Sequence, residues 1–355
     1  MTQPTVLNAR SMERWREEFP ILATSVYLVS HSLGAMPRST AGALQEYTDL
    51  WASDGVVAWH RWLPMVHAVG DLVGGLIGAP PGSVIMGQNA TNQVAAVASC
   101  FPYAPPRNRI VLAEPEFPTV RYFWEAQRRL GAEVVHVPGG DGLTLPLERL
   151  LGAIDERTLL VTVSHVLFKS AEIVDIAAVI QRAHAAGAYV LVDAYQSVGL
   201  VPFSVVDLDV DFLVGGSVKW LCGGPGAGYL YVKPSLVDQL EPAFCGWFSH
   251  EHPFAFDPPP IAYAAGIDRF MGGTPGVPAL YTAREGYRII GEVGVPTIRA
   301  LSQRRTALIV ERALADGLTV NSPLEPERRG GHVTVDFADA EAVSQELIQR
   351  RFIID

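Results

Sequence analysis

Two charged side chains in the middle of the sequence sit where apolar strands end. Asp193 closes the run Tyr189-VLVD, and Lys219 closes Asp211-FLVGGSVK just ahead of the glycine-rich Leu221-CGGPGAG. A carboxylate there is costly unless it finds a cation or a strong donor, and alone it reads as a helix cap or half of a buried ion pair. A lone lysine in such a place is ordinarily a surface residue whose amine snorkels outward. At neighbouring strand ends of one α/β domain the two together point to chemistry. A desolvated lysine has a depressed pKa and can form a Schiff base. An aspartate can hold the proton of a pyridine nitrogen, the partner that pyridoxal 5'-phosphate (PLP) requires.

The other needs of such a cofactor can be sought independently. A phosphate is held by a helix N-terminus with free backbone N–H groups, and Ile85-MGQNATNQVAAVAS supplies a strand, a glycine, polar residues and a small-residue helix. Alone, that segment reads more readily as an ordinary capped helix. A ring wants an aromatic face, and Glu116-FPT puts Phe117 at the end of another strand. Rival motifs fail: there is no GxxxxGK[ST], and GGPGAG is neither GxGxxG nor placed between a strand and a helix start. HExxH is absent, and His250 with His252 lacks a third nearby ligand, so no metal site is expected.

Short β-branched runs alternate with amphipathic stretches, which predicts an α/β domain with a mostly parallel sheet covered on both faces. Strands are expected within 108–115, 132–138, 157–165, 188–194, 210–217 and 228–233. Helices are expected over 119–130, 145–154 and 175–186, the first and last stopped by Gly131 and Gly187. Sheets of this kind bind ligands beyond the carboxyl ends of their strands, where Asp193 and Lys219 lie. The Pro-rich Asp257-PPPIAYAAG marks a boundary. Beyond it, 280–310 is largely helical, His332-VTVDF is a short strand, 340–351 a helix and Phe352-IID a further strand. The expected organisation is a large domain over 51–260 and a smaller α+β domain built from 1–50 and 261–355.

With 355 residues, 49% hydrophobic and 18% charged, the chain can bury a sizeable core. A net charge of -10 without a dense Lys/Arg run argues against nucleic acid and anionic membranes as partners. Three scattered cysteines make neither a disulfide framework nor a Cys-based zinc site. The start MTQPTVLNARSMERWREEF lacks a signal peptide's apolar core, and the longest charge-free stretch, 87–106, is broken by polar residues and prolines. A soluble cytoplasmic protein is expected.

The stretch from Ser164-HVLFKSAEIVD through Tyr189-VLVDAYQSVGL to Gly228-YLYV resembles fold-type-I PLP enzymes of the class V aminotransferase group, and within it kynureninases. Supporting pieces run in the same order over almost the whole chain: Tyr27-LVSHSLGAMP, Trp62, Leu76-IGA, Phe117-PT, Gly246-WFSHEHPFAF, Gly266-IDRFMGGT and Arg329-GGHVTV. The resemblance implies that Lys219 is the Schiff-base lysine and Asp193 the partner of the pyridine nitrogen. Gln88 and Asn89 would lie at the phosphate, Phe117 would stack on the ring, and Ser164 would contact the cofactor through its hydroxyl. Trp247 and Thr274 would reach the phosphate of a neighbouring subunit, implying a homodimer, and Trp62 and His31 would face an amino-acid substrate.

Four departures shape the expected reaction. Kynureninases have a phosphate-touching tyrosine before the lysine, where this chain has Val218. They have a histidine three residues after the aspartate, where this chain has Gln196, usual in the wider group as a contact of the cofactor's phenolic oxygen. They have an acid after Phe-Pro-Thr, where this chain has Val120. A carboxylate-clamping arginine falls in the family just beyond the position of Asp355, the last residue here. Val218 has no proton to give, so the expectation is a kynureninase-like enzyme diverged to C–S or β-elimination, transamination or decarboxylative deamination. True kynurenine hydrolysis is the alternative, and a degenerate PLP-binding regulator is the alternative of another class. Cys222 and Cys100 are poorly placed for the mobile nucleophile of a cysteine desulfurase.

Overall fold

The computed structural model describes residues 9–355; residues 1–8, part of the expected 1–50 segment, lie outside the described residues. The chain opens with α1 (Ala9–Glu17), β1 (Val26–Tyr27), α2 (Thr40–Asp54) and α3 (Trp59–Leu76). Then come β2 (Val84–Gly87), α4 (Ala90–Ala98), β3 (Arg109–Ala113), α5 (Pro118–Ala126), β4 (Glu133–Val137), α6 (Leu147–Ala153), β5 (Thr158–Ser164), α7 (Ile176–Ala185), β6 (Tyr189–Asp193), β7 (Phe212–Gly216) and β8 (Gly228–Val232). It closes with α8 (Pro234–Val237), α9 (Val277–Val293), α10 (Val295–Ala315), β9 (Thr319–Val320), β10 (Val335–Asp336), α11 (Ala340–Gln349) and β11 (Phe352–Ile353).

The central sheet has seven strands in the order β2-β8-β7-β6-β5-β3-β4. The ladders from β4 through β3, β5 and β6 to β7 are parallel, and β8 runs against both its neighbours. Its strands are buried on both faces, as a helix-covered parallel sheet requires: every residue of β5, β7 and β8 is buried. Each predicted strand and helix of the middle of the chain is present within a few residues of its expected bounds. Asp175 caps α7 by accepting from Ala178 N–H at 3.1 Å.

Outside the large sheet, β1 pairs in parallel with β11, Val26 opposite Phe352, so the two sequence extremes of the described chain meet. The long helical stretch after the Pro-rich boundary divides into α9 and α10 at Gly294. Helices α2 and α3 were not expected from the pattern; α3 packs on β2 and α9, and it contains Pro64. Among the described residues no helix is long and apolar enough to cross a membrane.

Candidate active site

The carboxyl ends of β3, β5, β6 and β7 open on one edge of the sheet, and the chemistry-bearing residues collect there. Asp193 is the last residue of β6 and is buried. Its Oδ1 accepts from Tyr195 N–H at 2.9 Å. Burial raises its carboxyl above the usual range, while the Tyr195 N–H and the nearby Lys219 ammonium pull the other way. Lys219 follows β7 by three residues. Burial lowers its amine below the ordinary lysine value, partly offset by the charges of Asp193 and Asp355. Its Nζ lies 5.7 Å from the Phe117 ring centre and 5.1 Å from that of Tyr195.

The lysine's backbone is clamped from the N-terminal segment. Gly34 N–H donates to Val218 C=O at 2.7 Å, and a Cβ on Gly34 would stand 2.1 Å from the Lys219 carbonyl oxygen. Only glycine permits that approach. Gln196 ties the same segment down: its Nε2 donates to the His31 carbonyl at 3.0 Å, and its Oε1 accepts from Trp220 Nε1 at 2.9 Å. Its oxygen is thus engaged by the protein, leaving the second amide proton for a ligand.

His31 stacks on His332 with ring centres 4.7 Å apart. Burial depresses both imidazoles, His332 to about 3, and His31 Nδ1 and His332 Nε2 have no hydrogen-bond partner. His332 had no role in the sequence reading; only its contact with His31, three hundred residues away, brings it to the site. Ser164 ends β5 opposite Asp193 in register. His165 turns to the other face of the sheet, edge-on to Phe203 at 4.8 Å, and burial lowers it to about 4. Tyr195, by contrast, lies beside Lys219.

Asn89 is the N-cap of α4, its Oδ1 accepting from Asn92 N–H at 2.9 Å, and Gln88 Oε1 accepts from Asn92 Nδ2 at 3.3 Å. Both are exposed at the helix start. The remaining candidates gather elsewhere in this chain. Trp62 is buried among Tyr47, Trp59 and Tyr281. Trp247 packs on buried Phe248 and lies in an exposed aromatic group with Phe254 and Phe256. Its loop packs on Gly272 and Gly273, next to exposed Thr274. The Cys222 and Cys100 thiols are each pushed up to about 12 by burial, which keeps them protonated and poor as nucleophiles.

The residues present suit PLP: a desolvated lysine facing an aromatic ring, a buried carboxylate with one oxygen uncommitted to the backbone, and a capped helix start with polar side chains. Among the described residues no group of three potential metal ligands occurs.

Residues 26–352 match the family described as Aminotransferase class-V. An uncharacterized aminotransferase YcbU of Bacillus subtilis (strain 168) is 32% identical over 306 residues, covering 86% of this chain and 80% of the relative. A kynureninase of Pseudomonas fluorescens is 30% identical over 362 residues, covering 97% and 85%. Among solved structures, a cysteine desulfurase from Thermococcus onnurineus NA1 superposes with a TM-score of 0.84 at 20% identity, covering 99% of this chain and 88% of that one. A C-DES lysine mutant with glycine covalently linked to its PLP cofactor gives 0.85 at 21%, covering 96% and 91%. At such identities these two speak for the fold.

Proposed function

This chain belongs to the class-V aminotransferase family and is a PLP-dependent enzyme, and we propose that it acts on an α-amino acid with Lys219 as its attachment and proton-handling residue. The observation that carries this reading is the Lys219 amine 5.7 Å from the Phe117 ring centre and 5.1 Å from that of Tyr195, near enough to buried Asp193 to feel its charge.

PLP, when bound, supplies an electron sink for negative charge at the substrate's α-carbon. Asp193 would keep the ring nitrogen protonated, since burial makes its own negative charge costly unless a cation stands beside it. Phe117 offers a face for the ring, and Gln88, Asn89 and the start of α4 offer polar groups for the phosphate. Lys219, with its amine pushed toward the neutral form by burial, can take up and return a proton at the substrate's α-carbon. Tyr195 lines the same amine; burial and Asp193 raise its phenol, so it serves as a donor of a hydrogen bond or proton and not as a base. His31 and His332 present unpartnered ring nitrogens that suit a polar group of the substrate. Trp247 and Thr274 would serve a second subunit's phosphate across a homodimer.

Within the family the reaction is read as diverged from kynurenine hydrolysis. Val218 has neither proton nor phosphate contact to offer, and Val120 stands where kynureninases have an acid after Phe-Pro-Thr. General acid–base groups contribute roughly 10²–10⁴-fold, so kynurenine turnover should be slow and turnover of an S-substituted cysteine or a transamination substrate faster. The second reading, true kynureninase, is favoured by the Pseudomonas relative, which this chain matches along 97% of its own length. Incubation with kynurenine, 3-hydroxykynurenine and a panel of S-substituted cysteines, with products followed by mass spectrometry, decides between them. Rapid release of anthranilate and alanine would overturn the divergence.

A further inference from the structure

Glu116 has no part in the function proposed above, yet it is 1% exposed and lies immediately before Phe117. Both of its carboxylate oxygens are bound to a single residue. Ser164 N–H donates to Oε1 at 2.8 Å, and the Ser164 hydroxyl bonds Oε2. Ser164 and Asp193 are partners across the parallel β5–β6 ladder, so their side chains leave the same face of the sheet. The group that Glu116 feels electrostatically is Asp193, a like charge. From the neighbouring elements Lys219 and Tyr195 face Asp193, while His165 is turned to the opposite face against Phe203. A buried carboxyl without a cation ionises reluctantly.

The proton decides what Ser164 can do. An ionised Glu116 only accepts, so the Ser164 O–H must point to it and Oγ keeps only lone pairs for other partners. A protonated Glu116 can donate to Oγ, and the Ser164 O–H is then free for another acceptor. We propose that Glu116 is a positioning residue whose proton sets whether Ser164 presents a donor or an acceptor to the cofactor beside Asp193. This rests on the PLP reading of the site, but the Glu116–Ser164 couple can be measured without the cofactor.

Burial, opposed by the Ser164 hydrogen bonds and reinforced by Asp193, pushes Glu116 from 4.5 up to about 7. The folded chain then keeps a proton that the unfolded chain has released, so stability falls as pH rises from about 4.5 to about 7 and stays lowered above it. Thermal unfolding of the cofactor-free protein is measured from pH 5 to 8.5 for the wild type, Glu116→Gln and Ser164→Ala. The wild type should lose several degrees relative to Glu116→Gln across that range. Ser164→Ala removes a donor that favours the ionised form, so its transition should move to higher pH. Spectroscopic titration with pyridoxal phosphate at pH 6 and 8.5 should show a change in affinity several-fold different in the wild type from that in Glu116→Gln, which keeps only the part due to Lys219 and the cofactor itself. A Glu116→Gln protein that keeps the wild-type pH dependence in both measurements, or an unmoved transition in Ser164→Ala, would overturn the proposal. A wild-type protein that takes up no pyridoxal phosphate would strike the reading of the site itself, and the cofactor-free unfolding curves keep that failure separate.

Discussion

Lys219 and Asp193 gain meaning from each other. Alone, each has an ordinary explanation; 26 residues apart in sequence but at the ends of adjacent strands, they share one electrostatic environment. Lys219→Ala should therefore eliminate the covalent, borohydride-reducible link to the cofactor, read by loss of its absorbance after dialysis. A variant that keeps a reducible band would remove Lys219 from its role. Asp193→Asn should still retain cofactor but lose turnover by roughly 10²-fold or more, because a neutral amide cannot hold a pyridinium proton. Unchanged turnover would exclude Asp193. These two residues were legible because a charge ending an apolar run is conspicuous. Glu116 was not: an acid before Phe-Pro at a strand end looks like loop chemistry, and its partner Ser164 lies 48 residues on. The engagement of Gln196 by His31 and Trp220 was invisible for the same reason, since both contacts are set by tertiary packing.

At the level of elements, local rules reached the strands and the capped helices of the large sheet. Apolar runs bounded by Gly and Pro and an Asp N-cap are determined within a few residues of sequence. Helices α2 and α3 escaped because their stability is tertiary. Helix α3 carries Pro64, Gly70, Gly74 and Gly75, all poor helix formers. Gly70 is there for packing: a Cβ on it would stand 2.5 Å from the Val84 carbonyl oxygen, so the helix can lie against β2 only without one. The same logic gives a prediction at the lysine loop. Gly34→Ala would drive a methyl into the Lys219 carbonyl and must displace one backbone or the other. Overpacking of this kind costs about 1–3 kcal/mol, measurable as a lowered denaturation midpoint, with weaker cofactor binding from the displaced lysine. A variant as stable and as tight as the wild type would show that the N-terminal segment does not clamp the lysine.

At the scale of the whole molecule, residues assigned to the cofactor and substrate fall into two sets. Lys219, Asp193, Phe117 and Ser164 gather at one sheet edge, while Trp62, Trp247 and Thr274 stand in other clusters of the same chain. If the second set serves a cofactor, it serves a neighbour's. Sedimentation equilibrium should find a two-chain species, held by an interface on the order of 2,000 Å² or more. Trp247→Ala should weaken cofactor retention while leaving the Lys219 surroundings of its own chain intact. A monomer with cofactor bound and turnover complete would contradict the shared site.

The most direct test of the central claim uses the scarcity of lysine. The sequence contains three: Lys169, Lys219 and Lys233. Lys233 is paired with Asp209 at 2.6 Å, and Lys169 lies over the Phe168 ring; Lys219 is the one coupled to buried Asp193. The protein is reconstituted with pyridoxal phosphate, reduced with borohydride, digested and mapped by mass spectrometry. One pyridoxyl group per chain on Lys219, displaced before reduction by the amino-acid substrate, is the expected result. A label on Lys169 or Lys233, or a Lys219 label that no amino acid displaces, would contradict it.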